Sequence, residues 1–203
     1  MRFRKNYTRV CRIDIDENTL SFSESYGAAY NKDLVARLKN WIPDILGTLV
    51  FVIDLPWVLL IQKKTGHGAG KINGPGGKVH VGENPRDCAL REVQEEVGLT
   101  VDGLELVAEL KFVDKSWPDW LGYVYVASSF SGAIHETEEA KPFWCHIQEI
   151  SYDSMWESDR YWLPHVLREK ASQGQNIERK IQGEFLLDAG ELLAHRCYAQ
   201  ELV

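Results

Sequence analysis

Apolar and polar positions alternate along residues 85–97 with the period of a helix. Leu90, Val93 and Val97 form one stripe, Glu92, Glu95 and Glu96 a second, and Ala89 lies between them. Asn84 is a good N-cap, Pro85 suits the first helical position, and Gly98 stands where a left-handed cap is usual, so the helix is predicted over 85–97. Strand patterns are read at 48–53 and 57–62 around an Asp54-Leu55-Pro56 turn, and at 104–112, 121–128, 143–147 and 180–187. Residues 161–170 read as a helix in which Pro164 is expected in the first turn or at a kink. Near the N-terminus, 10–15 and 20–22 flank Asp16-Glu17-Asn18 as a hairpin. Asn31 then opens a helical pattern with Leu34, Val35, Leu38 and Trp41 on one side, stopped by Pro43. Strands and helices mix without a βαβ repeat. The expectation is an α+β fold, an α/β/α sandwich around a mixed sheet, with residues 1–45 an extension that caps the sheet and 46–203 the main domain.

Bulk properties narrow the field. The chain has 203 residues and an ordinary globular composition. Its net charge of −7 argues against non-specific binding to nucleic-acid polymers or anionic membranes, and no apolar run reaches spanning length. Arg2, Arg4, Lys5, Arg9 and Arg12 make the start basic, but no apolar region follows to complete a signal peptide. Cys11, Cys88, Cys145 and Cys197 show neither a CxxC pair nor zinc-ligand spacing, and are read as reduced thiols of a cytoplasmic protein, monomeric or homodimeric.

Charge is segregated where the chemistry is expected. Residues 61–82 contain no Asp or Glu but include Lys63, Lys64, Lys71 and Lys78, whereas acids dominate 83–96. Glu92, Glu95 and Glu96 repel one another on one helix face at the edge of a core. A hard divalent cation, which favours oxygen ligands, resolves that conflict. Arg91 can reach Glu95 four residues on and orient it. Gly74-Pro75-Gly76-Gly77 is a low-bulk loop able to bring backbone groups close to an anion, and Glu83 adds a carboxylate ahead of the helix. A basic glycine-rich loop leading into an acidic helix suits a polyphosphate with bound metal. A phosphate-binding P-loop at 66–71 is excluded, because its first glycine would fall at Thr65 and its Ser/Thr at Ile72.

In order the motif reads Gly77, five residues, Glu83, seven residues, Arg91-Glu92-Val93, one residue, Glu95-Glu96, one residue, Gly98-Leu99. It resembles the Nudix box, borne by hydrolases that cut nucleoside diphosphates linked to another group. The resemblance runs over residues 47–164 and is to the MutT-type members that hydrolyse oxidised purine nucleoside triphosphates. Gly68-Ala69-Gly70, Asn73-Gly74, Gly76-Gly77-Lys78-Val79, Gln94-Glu95-Glu96, Met155-Trp156 and Tyr161-Trp162 carry it. Residues 1–45 have no counterpart. The resemblance implies a Nudix-type sandwich and magnesium, with manganese a possible substitute, held by the Gly76 carbonyl, Glu92, Glu95, Glu96 and Glu139. It implies that Thr48, Lys63 and Asn73 line the nucleoside pocket, with Gly77 and Lys78 beside the phosphates. Phe112 and Trp156 would flank the base, where stacking contributes about 1–3 kcal/mol, and Asp159 would read the purine edge. The expected catalytic group is Glu92, Glu95, Glu96 and Arg91, with either Glu92 or Glu96 as general base. Three residues depart from the pattern: Ser158 replaces one of two neighbouring aspartates, Glu157 a proline, and His67 a pocket phenylalanine. A nucleoside triphosphate such as 8-oxo-dGTP is the expected substrate. Another nucleotide, such as a dinucleoside polyphosphate or nucleotide sugar, and a non-catalytic nucleotide-binding module are the alternatives.

Overall fold

The computed structural model describes residues 31–173 and 179–201. The hairpin expected at 10–22 and Cys11 lie outside them. The first element is the helix α1 (Lys32–Leu38), capped by the Asn31 side chain, which accepts from the backbone N–H groups of Asp33 and Leu34 at 3.0 and 3.1 Å. It is shorter than its apolar pattern suggests. Asn40 takes a left-handed conformation (φ 59°), so the chain turns ahead of Trp41 and Pro43.

Then come strands β1 (Ile45–Asp54), β2 (Trp57–Lys63) and the two-residue β3 (Ile72–Asn73). Helix α2 (Pro85–Val97) has the predicted bounds. The Asn84 side chain accepts from the Asp87 N–H, and Gly98 is left-handed (φ 77°, ψ 12°). Strands β4 (Leu99–Asp102), β5 (Glu105–Asp114), β6 (Trp120–Ala127), β7 (Ser129–Gly132) and β8 (Ala140–His146) lead to helix α3 (Asp159–Gln173). The chain closes with β9 (Arg179–Asp188) and β10 (Glu191–Glu201). Expected in the first turn or at a kink, Pro164 is the sixth residue of α3, beyond the first turn, and the helix continues through it. The N–H it lacks would have paired with the carbonyl of Arg160, an exposed residue, which keeps the loss small.

The main sheet runs β10-β9-β5-β6-β1-β2-β3, with β8 also paired to β2; β4 and β7 form a separate ribbon. It is mixed: β1 runs parallel to β6 and β5 parallel to β9, while the other pairs are antiparallel. The continuous apolar run of β1 follows from burial on both faces. Val50 and Val52 meet Ala89, Val93 and Val97 of α2, while Phe51 and Ile53 meet Trp162, Leu163 and Val166 of α3. The result is the expected α+β sandwich. Helix α1 adds a small third cluster in which Leu34 packs with Val113, Leu186 and Ala194, flanked by Leu38 and Trp41.

The docking of α1 gives a direct check. Leu34→Ala removes a side chain that is 4% exposed, and the expected loss is about 2–3 kcal/mol, read as a lower urea midpoint. An unchanged midpoint would mean that the helix is not seated on the sheet.

Candidate functional site

Helix α2 crosses one face of the sheet, and its apolar stripe places its acids at the edge of the core beside the glycine loop. The loop is docked hard onto β1: Thr48 N–H donates to the Gly77 carbonyl and Val50 N–H to the Pro75 carbonyl, both at 2.8 Å. A Cβ on Gly76 would lie 2.0 Å from the Thr48 carbonyl oxygen, and one on Gly77 would lie 2.2 Å from a Glu92 carboxylate oxygen. Neither has a positive φ: Gly76 is required by its close approach to the β1 backbone, whereas a side chain at Gly77 would displace the Glu92 carboxylate.

Glu96 is the buried acid of the helix, 2% exposed. One carboxylate oxygen accepts from Lys63 Nζ at 2.7 Å and the other from the Gly76 N–H at 2.8 Å. Burial pushes its carboxyl above the usual range, and Lys63 and the Gly76 N–H pull it back. Arg91 gathers the remaining acids. It donates to Glu83 through Nε (2.9 Å) and Nη2 (3.0 Å), to Glu92 at 2.8 Å and to Glu95 at 3.0 Å. The Glu95 contact is the expected one four residues on. The hydrogen bonds from Arg91 hold the Glu83 carboxyl down to about 2. Glu95 lies at the exposed end of this row.

A cavity of about 460 Å³ opens beside these groups. At one end it is lined by Gly76, Gly77, Lys78, Lys63, Glu92 and Glu139. Glu139 arrives there because β8 pairs with β2, setting Ala140 opposite Lys63. Glu96 stands behind this wall through its bond to the Gly76 N–H, and Arg91 and Glu95 lie outside the lining. Among the described residues no three acidic, histidine or cysteine side chains are already gathered as a ligand set. Lys63 and Arg91 occupy the carboxylates instead. The donor chemistry nevertheless fits a hard divalent cation, because it is all oxygen and the missing side chain of Gly77 leaves the Glu92 carboxylate against the loop backbone.

Thr48, Asn73, Phe112, Trp156 and Asp159 line the rest of the same cavity. Thr48 is buried, its hydroxyl 3.4 Å from Cys88 Sγ. Asn73 accepts from the Gly74 N–H at 2.9 Å. Phe112 stacks on Phe185 (centroids 5.2 Å apart). Asp159 is 3% exposed and accepts from the Trp156 N–H (3.1 Å) and the Trp162 indole N–H (3.2 Å). Burial outweighs those bonds and pushes its carboxyl up to about 7.

The sequence reading missed one wall. Trp117, Trp120 and Asp114 also line the cavity. His67, read only as a substituted pocket residue, lies between the near-parallel rings of Trp120 (5.5 Å) and Trp156 (5.0 Å). Two tryptophans around a proline in the short connection between two strands, Trp117-Pro118-Asp119-Trp120, were the available signal.

Comparison with known proteins agrees with this architecture. The NUDIX domain model matches residues 45–166. The chain is 40% identical over 126 residues to the oxidized purine nucleoside triphosphate hydrolase of Mus musculus, covering 62% of this chain and 81% of that protein. It is likewise 40% identical over 128 residues to the protein of that name in Danio rerio, covering 63% of this chain and 82% of the relative. The crystal structure of a MutT protein from Bacillus halodurans superposes with a TM-score of 0.63 at 28% identity, over 75% of this chain and 97% of that one.

Asp159 sets a pH signature of stability. The folded chain keeps this proton up to about pH 7, whereas an unfolded aspartate loses it near its ordinary value of 3.8. Between those values the folded state holds the extra proton, so this group's contribution to stability falls as pH rises through the window. The difference in unfolding free energy between wild type and Asp159→Asn should therefore shift in favour of the variant from pH 4 to pH 7. A difference that stays flat with pH would refute a buried, neutral Asp159.

Proposed function

The chain belongs to the NUDIX family of hydrolases, and on that footing we propose that it is a magnesium-dependent pyrophosphohydrolase of oxidised purine nucleoside triphosphates such as 8-oxo-dGTP, releasing the monophosphate and pyrophosphate. The observation that carries the proposal is the continuity of one cavity. Its glycine–lysine–carboxylate end suits a polyphosphate, and its Phe112–Trp156–Asp159 end suits a purine. Two relatives named for oxidised purine triphosphates are 40% identical to this chain over 126 and 128 residues. The free thiols Cys88, Cys145 and Cys197 suit a reducing compartment, the cytoplasm in this proposal. No helix of the described residues is long and apolar enough to cross a membrane.

In this reading the Gly76 carbonyl and the carboxylates of Glu92, Glu95, Glu96 and Glu139 hold the cation, with manganese a possible substitute. The ion supplies neutralisation of phosphate charge and a more acidic bound water. Arg91 keeps Glu92 and Glu95 apart and oriented by donating to both. Glu92 or Glu96 accepts the proton of the attacking water; the raised affinity of Glu96 for a proton suits that task. Lys78 and Lys63 supply positive charge toward the charge that develops on the phosphate oxygens. At the other end Phe112 and Trp156 stack on the base. Asp159, when ionised, accepts from the adjacent N1–H and 2-amino group of a guanine-type edge. A different nucleotide substrate is the second reading. Ser158 and His67, which depart from the MutT-type pattern, and the additional wall of Trp117 and Trp120 favour it.

A hydrolysis panel with magnesium separates the readings. Pyrophosphate release is expected preferentially from 8-oxo-dGTP over dGTP, dinucleoside polyphosphates and nucleotide sugars. Preference for one of the others moves the chain to that substrate, and no turnover on any of them makes it a binding module. Glu96→Gln should lower kcat at least about 100-fold; near-wild-type turnover with unchanged metal dependence would remove Glu96 from the mechanism.

A further inference from the structure

The wall of the cavity formed by Trp117 and Trp120 belongs to the connection between β5 and β6. Trp117 remains 44% exposed, so burial alone does not fix this wall. Two aspartates do. The Asp114 carboxylate accepts four backbone N–H groups: those of Ser116 and Trp117 in the connection (2.8 and 3.0 Å), and those of Ala189 and Gly190 in the turn beyond β9 (3.1 and 3.0 Å). Asp119 closes the connection on itself by accepting from the Asp114 N–H at 2.9 Å.

Asp119 is also where the N-terminal extension attaches. Its second carboxylate oxygen accepts from the Trp41 indole N–H at 2.8 Å. Its N–H donates to the Asp44 carboxylate at 2.9 Å, and its carbonyl accepts from the N–H groups of Asp44 and Ile45 at 3.0 and 3.1 Å. At the other end of the connection, Arg37 of α1 donates to the Asp114 carbonyl at 3.2 Å. An extension that only covered the sheet would need the apolar contacts of Leu34 and no such set of directed bonds linking Arg37, Trp41 and Asp44 to one loop.

We propose that α1 and residues 41–44 are a positioning element of the nucleotide site. They hold the Asp114–Asp119 connection in place, and with it Trp117 and Trp120, and so set how tightly the cavity grips a base. The proposal rests on the reading that this cavity binds a purine nucleotide. It makes the extension part of substrate selection without contact with the substrate. The carboxylates and the glycine loop of the phosphate end are carried by other elements, and Trp120 meets that end through the Lys78 ammonium, 5.3 Å from its ring centroid.

The test uses the full chain and Trp41→Phe, which keeps the ring and deletes the N–H, beside Asp119→Ala, which removes both carboxylate bonds. Two substrates are compared: the preferred purine triphosphate from the hydrolysis panel, and deoxyribose 5-triphosphate, which lacks a base. Trp41→Phe should raise KM for the purine substrate roughly fivefold and Asp119→Ala roughly tenfold or more, with kcat and KM for the base-free substrate each within about twofold. Calorimetry with the purine monophosphate should show the same loss of affinity without any turnover. Equal effects on both substrates, or unchanged KM and unchanged monophosphate affinity in variants that melt as folded proteins, would overturn the proposal. If no triphosphate is hydrolysed, the proposed function fails, and the monophosphate titration still decides whether the extension positions the pocket.

Discussion

A carboxylate taken out of water must be paired or protonated, and Glu96 is the place where this chain meets that demand. Its partners come from two other parts of the fold, Lys63 at the end of β2 and the backbone of Gly76 in the glycine loop. One buried group therefore ties helix, sheet and loop together. The pairing also explains why the acidic stripe of α2 is tolerated against the core: Glu96 is neutralised from the sheet side, and Glu83, Glu92 and Glu95 share a single guanidinium on the solvent side. Removing one partner of such a buried pair costs more than the pair itself is worth, because the other charge is left stranded.

Much of this was legible because it is local. The bounds of α2 follow from Asn84, Pro85 and Gly98, each acting on its own turn of backbone. The acid-free lysine stretch before the helix places Lys63 and Lys78 beside the carboxylates for the same reason that it stands out in the sequence: opposite charges there compensate one another. The apolar run at 48–53 was readable as a strand, and its burial on both faces is what the structure adds. What was not legible depended on partners remote in sequence. Strand β10 carries Glu191, His195, Arg196 and Gln200, and pairing with β9 makes it a strand. The end of α1 is set by the turn at Asn40, although the apolar spacing continues to Trp41.

The candidate site divides along the same line. Its phosphate end sits on consecutive residues of one loop and one helix, so the motif displays it. Its base end is assembled from β5, the β5–β6 connection, the start of α3 and the turn after β9. No spacing rule links Trp120 to Trp156 or Asp114 to Gly190; only the sheet order, with β5 between β6 and β9, brings them together. Resemblance supplied Phe112, Trp156 and Asp159 but was silent about Trp117 and Trp120.

The close docking of Gly76 and Gly77 has a consequence for how such a molecule can change. Where glycine is needed for its backbone angles, another flexible residue such as asparagine can sometimes stand in. Where it is needed because no volume is available, nothing can. Gly76, which meets the backbone of Thr48, is of the second kind, so the loop at this end is fixed to β1. At the opposite end the rim is made of side chains, and Trp117 is 44% exposed. Adaptation to a new base is thus confined by geometry to the aromatic rim, and the bond-breaking half can be inherited intact by descendants that recognise quite different molecules.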